Sequence, residues 1–497
     1  MMRSTDPVPV FFAALLVLAA AAVPASAQNL PKPEDVLGFK VGDDYHLASY
    51  PQAVEYFKRL AAASDRVKLA DMGKTSMGQT MTYALISLPQ NLAALEKHKD
   101  IARRLSLARL SPAEAQTLAR EGRAVVYLDG GLHASECAPA QHNIQLAYDL
   151  AAAQDPKTLR ILNDVILVLV FANPDGMNLL ADWYHPNVGT PFEVAPLPRL
   201  YHIYAGHDNN RDSLLANLVE TQNITRLVNR EWFPVIYYNH HQTAPFPARI
   251  WTPPNSEPTN PNVHPLLVRW QNMIGSAMGA AFDEEGKEGA ISRIVFDTWY
   301  PGYMTQVVDS HNIISILTET ALFRYATPRF YTVRDFPAAY QDLTMSAFYP
   351  NPWRGGWWRL RDAVDYCLTA SKSVLDVASK YREELLYNKY RMGADTIERF
   401  RKEPPYAYIL PADQADPGNL ALLLNRMILL GLEVYKAEES FTSDGVAYPA
   451  GTYLLPVSQP FGLFLKNAFE EQKYPDLRKY PDLWQGLVAS KPFEGAP

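Results

Sequence analysis

One feature constrains this chain before any other: short apolar, β-rich runs alternate with helix-period segments. Thr80–Leu88 (TMTYALISL), Ala124–Asp129 (AVVYLD), Val165–Ala172 (VILVLVFA), Pro234–Asn239 (PVIYYN) and Asn312–Glu319 (NIISILTE) read as strands. Between them lie helical patterns. Val54, Phe57, Leu60 and Ala61 form one apolar face, and Ser111-Pro112-Ala113-Glu114 is a capping box with proline at the first helical position. Ala138–Ala153 and Asp362–Lys380 also read as helices. Such alternation predicts an α/β fold: a mixed, mostly buried sheet flanked by helices. Composition supports a large core, since 48% of the 497 residues are hydrophobic and only 20% are charged. The net charge of −7 and the lack of a Lys/Arg-rich run argue against a nucleic-acid partner. Two cysteines, Cys137 and Cys367, exclude a disulfide framework and any cysteine-built metal site.

The ends of the chain differ from its middle. Residues 1–27 read as a signal peptide, with an apolar stretch from Phe11 to Val23 and the small-residue pattern Ala25-Ser26-Ala27. No later run reaches the roughly 18 apolar residues a membrane span needs. The expectation is a protein released to the periplasm or outside the cell, with no stable span after cleavage. The large α/β domain is expected over 28–386. A polar stretch, 387–405, ends in Pro404-Pro405 and reads as a linker. Beyond it, 406–497 reads as a small C-terminal α/β unit. Strands at Tyr406–Leu410, Leu432–Lys436 and Thr452–Pro456 surround a helix at Asn419–Leu430, a βαβ-like arrangement.

Chemistry gathers at strand ends, where open α/β sheets place their ligands. Gly130-Gly131-Leu132-His133-Ala134-Ser135-Glu136 follows a predicted strand, and His133 is the only histidine with Glu at +3. An imidazole and a carboxylate suit zinc, but a catalytic site needs a third ligand and a position left for water. Tyr237-Tyr238-Asn239-His240-His241 ends another strand. Adjacent residues there point to opposite faces, so only one of the two histidines can join the site. Glu319 ends a third apolar strand. A carboxylate at that place carries a large desolvation cost unless it has a partner or a task, and beside zinc that task is a general base.

In order along the chain, these residues resemble the zinc carboxypeptidases of the carboxypeptidase A type, in a divergent, secreted bacterial form. The similarity spans about residues 45–345. It includes Asn173-Pro174-Asp175-Gly176, the pair Asn210-Arg211 and the stretch Gly73–Thr80. The resemblance implies that His133, Glu136 and His241 hold one Zn2+, Asn239 filling the place two residues before the ligand where the family usually has Asp or Ser; His240 stays as the alternative. It implies Asp208 as the carboxylate that orients His133. It also implies Glu319 as the catalytic carboxylate and Asn210 and Arg211 as holders of a substrate carboxylate, the guanidinium being a bidentate fork.

Two departures accompany the match. No arginine follows Asn173–Gly176 where the family places one to polarise the scissile carbonyl; Arg199 is the nearest candidate. The family's mobile tyrosine has two candidates, Tyr300 and Tyr303, of which Tyr303 follows a glycine. The resemblance implies a metallocarboxypeptidase acting on a peptide or other amide with a free carboxylate. The alternatives are an amidohydrolase for cell-wall peptides or acyl-amino acids, and an inactive peptide-binding protein. Cys137, Cys367 and the cluster Trp353, Trp357 and Trp358 read as packing residues.

Overall fold

A computed structural model describes residues 30–200 and 208–476. The expected signal segment, 1–27, lies outside the described residues. Eight strands build the main sheet: β1 (Val67–Lys74), β2 (Thr80–Ile86), β3 (Ala124–Gly130), β4 (Val165–Phe171), β5 (Ile236–His241), β6 (Ile250–Trp251), β7 (Ala290–Ile291) and β8 (Ile314–Thr320). Their order is β1-β2-β4-β3-β5-β8-β6-β7. The central four, β4, β3, β5 and β8, are parallel. The β1–β2 hairpin and β6 add antiparallel pairings on either side. This is the mixed α/β sheet that the alternation predicts. The two-residue strands β6 and β7 escape a pattern-based reading, because no period can show in two residues.

Both faces of the sheet are covered, and the period of two assigns residues to each. Val126 and Leu128 of β3, with Ile236 and Tyr238 of β5, pack on one side. There they meet the helices Tyr50–Ala63, Cys137–Ala152, Pro265–Glu284 and Leu360–Lys380. Val125 and Tyr127 of β3, with Tyr237 of β5, face the other side, against Ile224, Leu227, Trp232, Met304 and Val308. Every residue of β3 and β4 is buried, so their unbroken apolar runs report burial on two faces rather than one.

The expected capping box forms: Ser111 Oγ accepts from Glu114 N, opening the helix Pro112–Glu121. The expected linker does not. The helix Arg382–Lys402 runs through most of it, and Leu385, Leu386, Lys389, Tyr390, Gly393, Thr396 and Phe400 are buried. That spacing is a helical stripe, so tertiary packing gives the segment an inner face that its charged outer face conceals in the sequence. The C-terminal unit also differs in detail. Ala407–Leu410 and Tyr435–Lys436 both pair antiparallel with Tyr453–Pro456, which lies between them. The βαβ crossover is therefore split by a third strand. Phe441–Ser443 and Val446–Tyr448 add a hairpin.

The C-terminal unit braces the main domain. Its core of Leu424, Leu430, Leu455, Phe461 and Phe464 takes in Val307 from the helix Met304–Asp309. The His311 ring lies 4.9 Å from Phe461 and 4.7 Å from Phe464, and Asn312 Nδ2 donates to Pro460 O at 2.8 Å. Among the described residues, no helix is long and apolar enough to cross a membrane.

Candidate metal centre and active site

The site forms where β3, β5 and β8 end. Parallel register sets His241 beside Glu319 and Asp129 beside Asn239. The turn after β3 needs its two glycines. A Cβ on Gly130 would stand 2.3 Å from Pro139 O, and Gly131 has φ +79° with Ala140 Cβ only 2.9 Å from where its own Cβ would be. That close approach lets the helix Cys137–Ala152 begin directly over the strand end, with Glu136 as its N-cap residue.

Three donor groups converge. His133 Nδ1 lies 2.9 Å from Glu136 Oε1 and 3.2 Å from His241 Nδ1, and His241 Nδ1 lies 3.1 Å from Glu136 Oε2. All three residues are buried. Two imidazole nitrogens facing each other cannot both donate or both accept across that gap. Metal–ligand bonds of about 2.0–2.1 Å in a tetrahedral arrangement place ligand atoms roughly 3.3 Å apart, close to these separations. The donor set of two histidines and one glutamate is itself a catalytic zinc set, and it fits one Zn2+.

Electrostatics point the same way. Burial alone would strip the proton from His133, yet Glu136 and Asp208 overcome it and push the ring up to about 10. Burial would raise the Glu136 carboxyl, and the two histidines instead hold it well below the usual carboxylate range. The pocket therefore demands positive charge at its centre.

A surrounding shell fixes the ligands. His133 Nε2 lies 2.8 Å from Asp208 Oδ1, whose other oxygen accepts from Arg211 Nη1 at 2.7 Å. Asn210 Nδ2 lies 3.5 Å from His241 Nε2, while its Oδ1 accepts from Met304 N at 3.0 Å. The Arg211 guanidinium sits 4.7 Å from the Tyr303 ring centre. Tyr303 is the N-cap residue of the helix that the C-terminal unit braces. Glu319 Oε2 accepts from Thr243 N at 2.6 Å and Thr243 Oγ1 at 2.8 Å. Burial pushes the Glu319 carboxyl up to about 7; His241 and the Thr243 bonds oppose the rise and Glu136 adds to it. All eight residues named from the sequence, His133, Glu136, His241, Glu319, Asp208, Asn210, Arg211 and Tyr303, line one cavity of about 260 Å³.

The two histidines of β5 part company. His240 turns to the opposite face, where its Nε2 and that of His142 each lie 2.9 Å from Ser371 Oγ. Arg199 borders a separate, larger cavity of about 500 Å³ and does not line the metal cavity. Tyr300 lies against Tyr303, ring centres 4.9 Å apart. Trp353 and Trp358 are buried around the Arg249 guanidinium, and Cys137 and Cys367 are buried free thiols.

Sequence reasoning missed Gln242 and Thr243. Gln242 N donates to Glu136 Oε2, its Oε1 accepts from Ala138 N, and its Nε2 donates to Ala321 O, tying the three strand-end segments together. Their position directly after His241 was the available signal. It also missed Asn255, Asp297 and Gln306, which line the cavity from loops and a helix without periodic pattern.

The family model for the zinc carboxypeptidases matches residues 53–259. No curated protein matches the chain. Among solved structures, the chain is similar to a metallo-carboxypeptidase from Burkholderia cenocepacia, at 13% identity and TM-score 0.44, covering 68% of this chain and 71% of that one. It is also similar to a metallo-carboxypeptidase from Pseudomonas aeruginosa, at 15% identity and TM-score 0.43, covering 69% and 71%. Carboxypeptidase A from Helicoverpa armigera shows 14% identity and TM-score 0.40 over 69% and 74%. The segment 53–259 matches the zinc carboxypeptidase family, and the His-Glu-His centre that it carries supports a zinc metallopeptidase.

Proposed function

We propose that this chain is an exopeptidase that removes the C-terminal residue of a peptide carrying a free carboxylate. The observation that carries the reading is the shared cavity: the three metal-ligating side chains, a buried carboxylate and an accessible guanidinium all open into it. His133, Glu136 and His241 would hold the zinc, which when bound would supply Lewis acidity for acidifying a water and polarising an amide carbonyl.

The chain's own residues do the rest. Glu319 takes the proton shed by the attacking water and delivers it to the leaving amine as the C–N bond breaks. Both Thr243 bonds fall on Oε2, which leaves Oε1 without a hydrogen bond among the described residues and available for that proton. Arg211 pairs with Asp208 through Nη1 and offers the rest of its guanidinium fork to the substrate carboxylate. Asn210 adds an amide beside it, and Tyr303 supports the guanidinium face. Asp208 holds the His133 ring in its ligating orientation. Release outside the cytoplasm is part of the reading and rests on residues 1–27. So is the division into a catalytic domain at 28–386 and a supporting unit at 406–497.

Glu319→Gln tests the mechanism. The variant should keep its zinc and lose about 10²–10⁴-fold in hydrolysis. Peptides with a free C-terminus should be cleaved and their amidated counterparts spared. Near-normal activity of Glu319→Gln, or equal cleavage of amidated peptides, would overturn the proposal.

A further inference from the structure

One buried carboxylate beneath the metal centre takes no part in the chemistry described so far. Asp129 is the last residue but one of β3 and is fully buried. Alternation puts it on the same face as Tyr127, and register sets it beside Asn239 of β5, which shares a face with Tyr237 and His241. Two residues along one face of a strand stand about 7 Å apart, so Asp129 and Asn239 form the layer directly under His241.

That layer is short of positive charge and of donors. Asp129 Oδ1 accepts from Asn239 Nδ2, and its Oδ2 accepts from Tyr237 Oη at 2.9 Å. Both donors are neutral, and no lysine or arginine pairs with Asp129 among the described residues. Burial pushes its carboxyl up to about 6, against the pull of those donors and of the nearby His133 ring. The one positive neighbour is therefore a metal ligand. Asn239 adds to the imbalance. Its Nδ2 is spent on Asp129, and its Oδ1 is buried with no hydrogen-bond partner among the described residues. A buried charge without a counter-charge and a buried acceptor without a donor are each costly, and here they adjoin.

The other carboxylates near the centre cannot fill the same place. Asp208 is offset by Arg211, and Glu319 trades its proton in the proposed hydrolysis. We propose that Asp129 is a positioning residue for the metal centre, a fixed counter-charge that strengthens the hold of His133, Glu136 and His241 on zinc without touching it. With Glu136 it sets two lasting negative charges against the two positive charges of the ion. In an interior from which water is excluded, that attraction is screened far less than it is in bulk water. The inference concerns the metal centre alone and stands whatever substrate the cavity takes. It also gives the unoffset charge a signature: a cost in the metal-free chain and a gain in the loaded one.

The test strips the full chain of metal and titrates it with zinc against a chelating dye. Asp129→Asn and Asp129→Ser both remove the charge, the first refilling its space and the second not. Each should bind zinc about tenfold or more weakly than wild type. Tyr237→Phe removes a donor and keeps the charge, so it should stay within about threefold. Asp309→Asn removes another buried carboxyl, one bonded to Ser315, which lies four residues before Glu319 on β8. It too should stay within about threefold. Thermal melts at about pH 8 read the same charge without a dye. A carboxyl raised on folding contributes stability below its unfolded value near 3.9 that is lost as pH rises through about 6. Metal-free Asp129→Asn should therefore melt no lower than metal-free wild type, and zinc should raise its Tm by less. Lower melting with and without zinc, at an unchanged zinc shift, would make Asp129 merely structural and overturn the proposal. So would unchanged zinc affinity in both Asp129 variants, or equal weakening in Tyr237→Phe or Asp309→Asn.

Discussion

His240 and His241 are neighbours on one strand, equally buried, and live in opposite chemistries. On one face His241 joins His133, Glu136 and Glu319 in a cavity full of charge. On the other, His240 and His142 share the hydroxyl of Ser371, with Thr318 Oγ1 3.4 Å from His240 Nδ1. Among the described residues, no carboxylate bonds to either of that pair. Burial lowers His142 to about 4 and drives His240 well below its usual value, so both stay neutral. His133, just as enclosed, is pushed up to about 10 by its carboxylate neighbours. Burial is common to both faces; the company of carboxylates decides which one can hold a metal ion.

The largest test of that contrast lies on β8. Glu319 faces the charged side and Thr318 the neutral side. Glu319→Gln should cost the 10²–10⁴-fold given above, whereas Thr318→Val should leave kcat/KM within about threefold while lowering Tm. Steady-state kinetics and thermal melts of the pair separate the two faces, and comparable losses of activity in both would break the distinction.

A smaller effect sharpens it. Asp208 touches His133 from outside the ligand set. Asp208→Asn should weaken zinc binding by about 10–100-fold, measured by competition with a chelating dye, because the ring loses its orienting carboxylate. Unchanged affinity would mean that the ligands are fixed by Gln242 and the strand ends alone.

The smallest expected effect concerns a buried carboxylate that pairs with no cation among the described residues. Asp309 accepts from Gln271 Nε2 and Ser315 N, and burial pushes its carboxyl up to about 7. A carboxyl raised on folding contributes stability that is fully present below its unfolded value near 3.9 and is lost as pH rises through about 7. Asp309→Asn, which cannot ionise, should flatten the fall in Tm between about pH 4 and pH 7. Parallel pH profiles of Tm for wild type and variant would show no such component.

How much of this was legible in the sequence follows from what each part depends on. β3, β4, β5 and β8 could be read because burial on two faces leaves an unbroken apolar run. His133 and Glu136 could be read because the turn that joins them is local. The choice between His240 and His241 could not be read from the strand pattern. Alternation says that one histidine faces the site, but only the fold says which face the β3 turn occupies. The helix Arg382–Lys402 was hidden because its outer face and the following prolines dominate the local composition, while its buried Tyr390 and Phe400 meet partners from distant segments. Asp297 was invisible for a related reason: its bond to Tyr474 spans 177 residues of sequence.

The central claim is that one face of β5 holds the metal and the other does not. Metal content of purified, zinc-reconstituted His241→Ala and His240→Asn, measured by mass spectrometry after gel filtration, tests it most directly. The account predicts about one zinc per chain in wild type and in His240→Asn, and near zero in His241→Ala. Zinc retained in His241→Ala and lost in His240→Asn would contradict it.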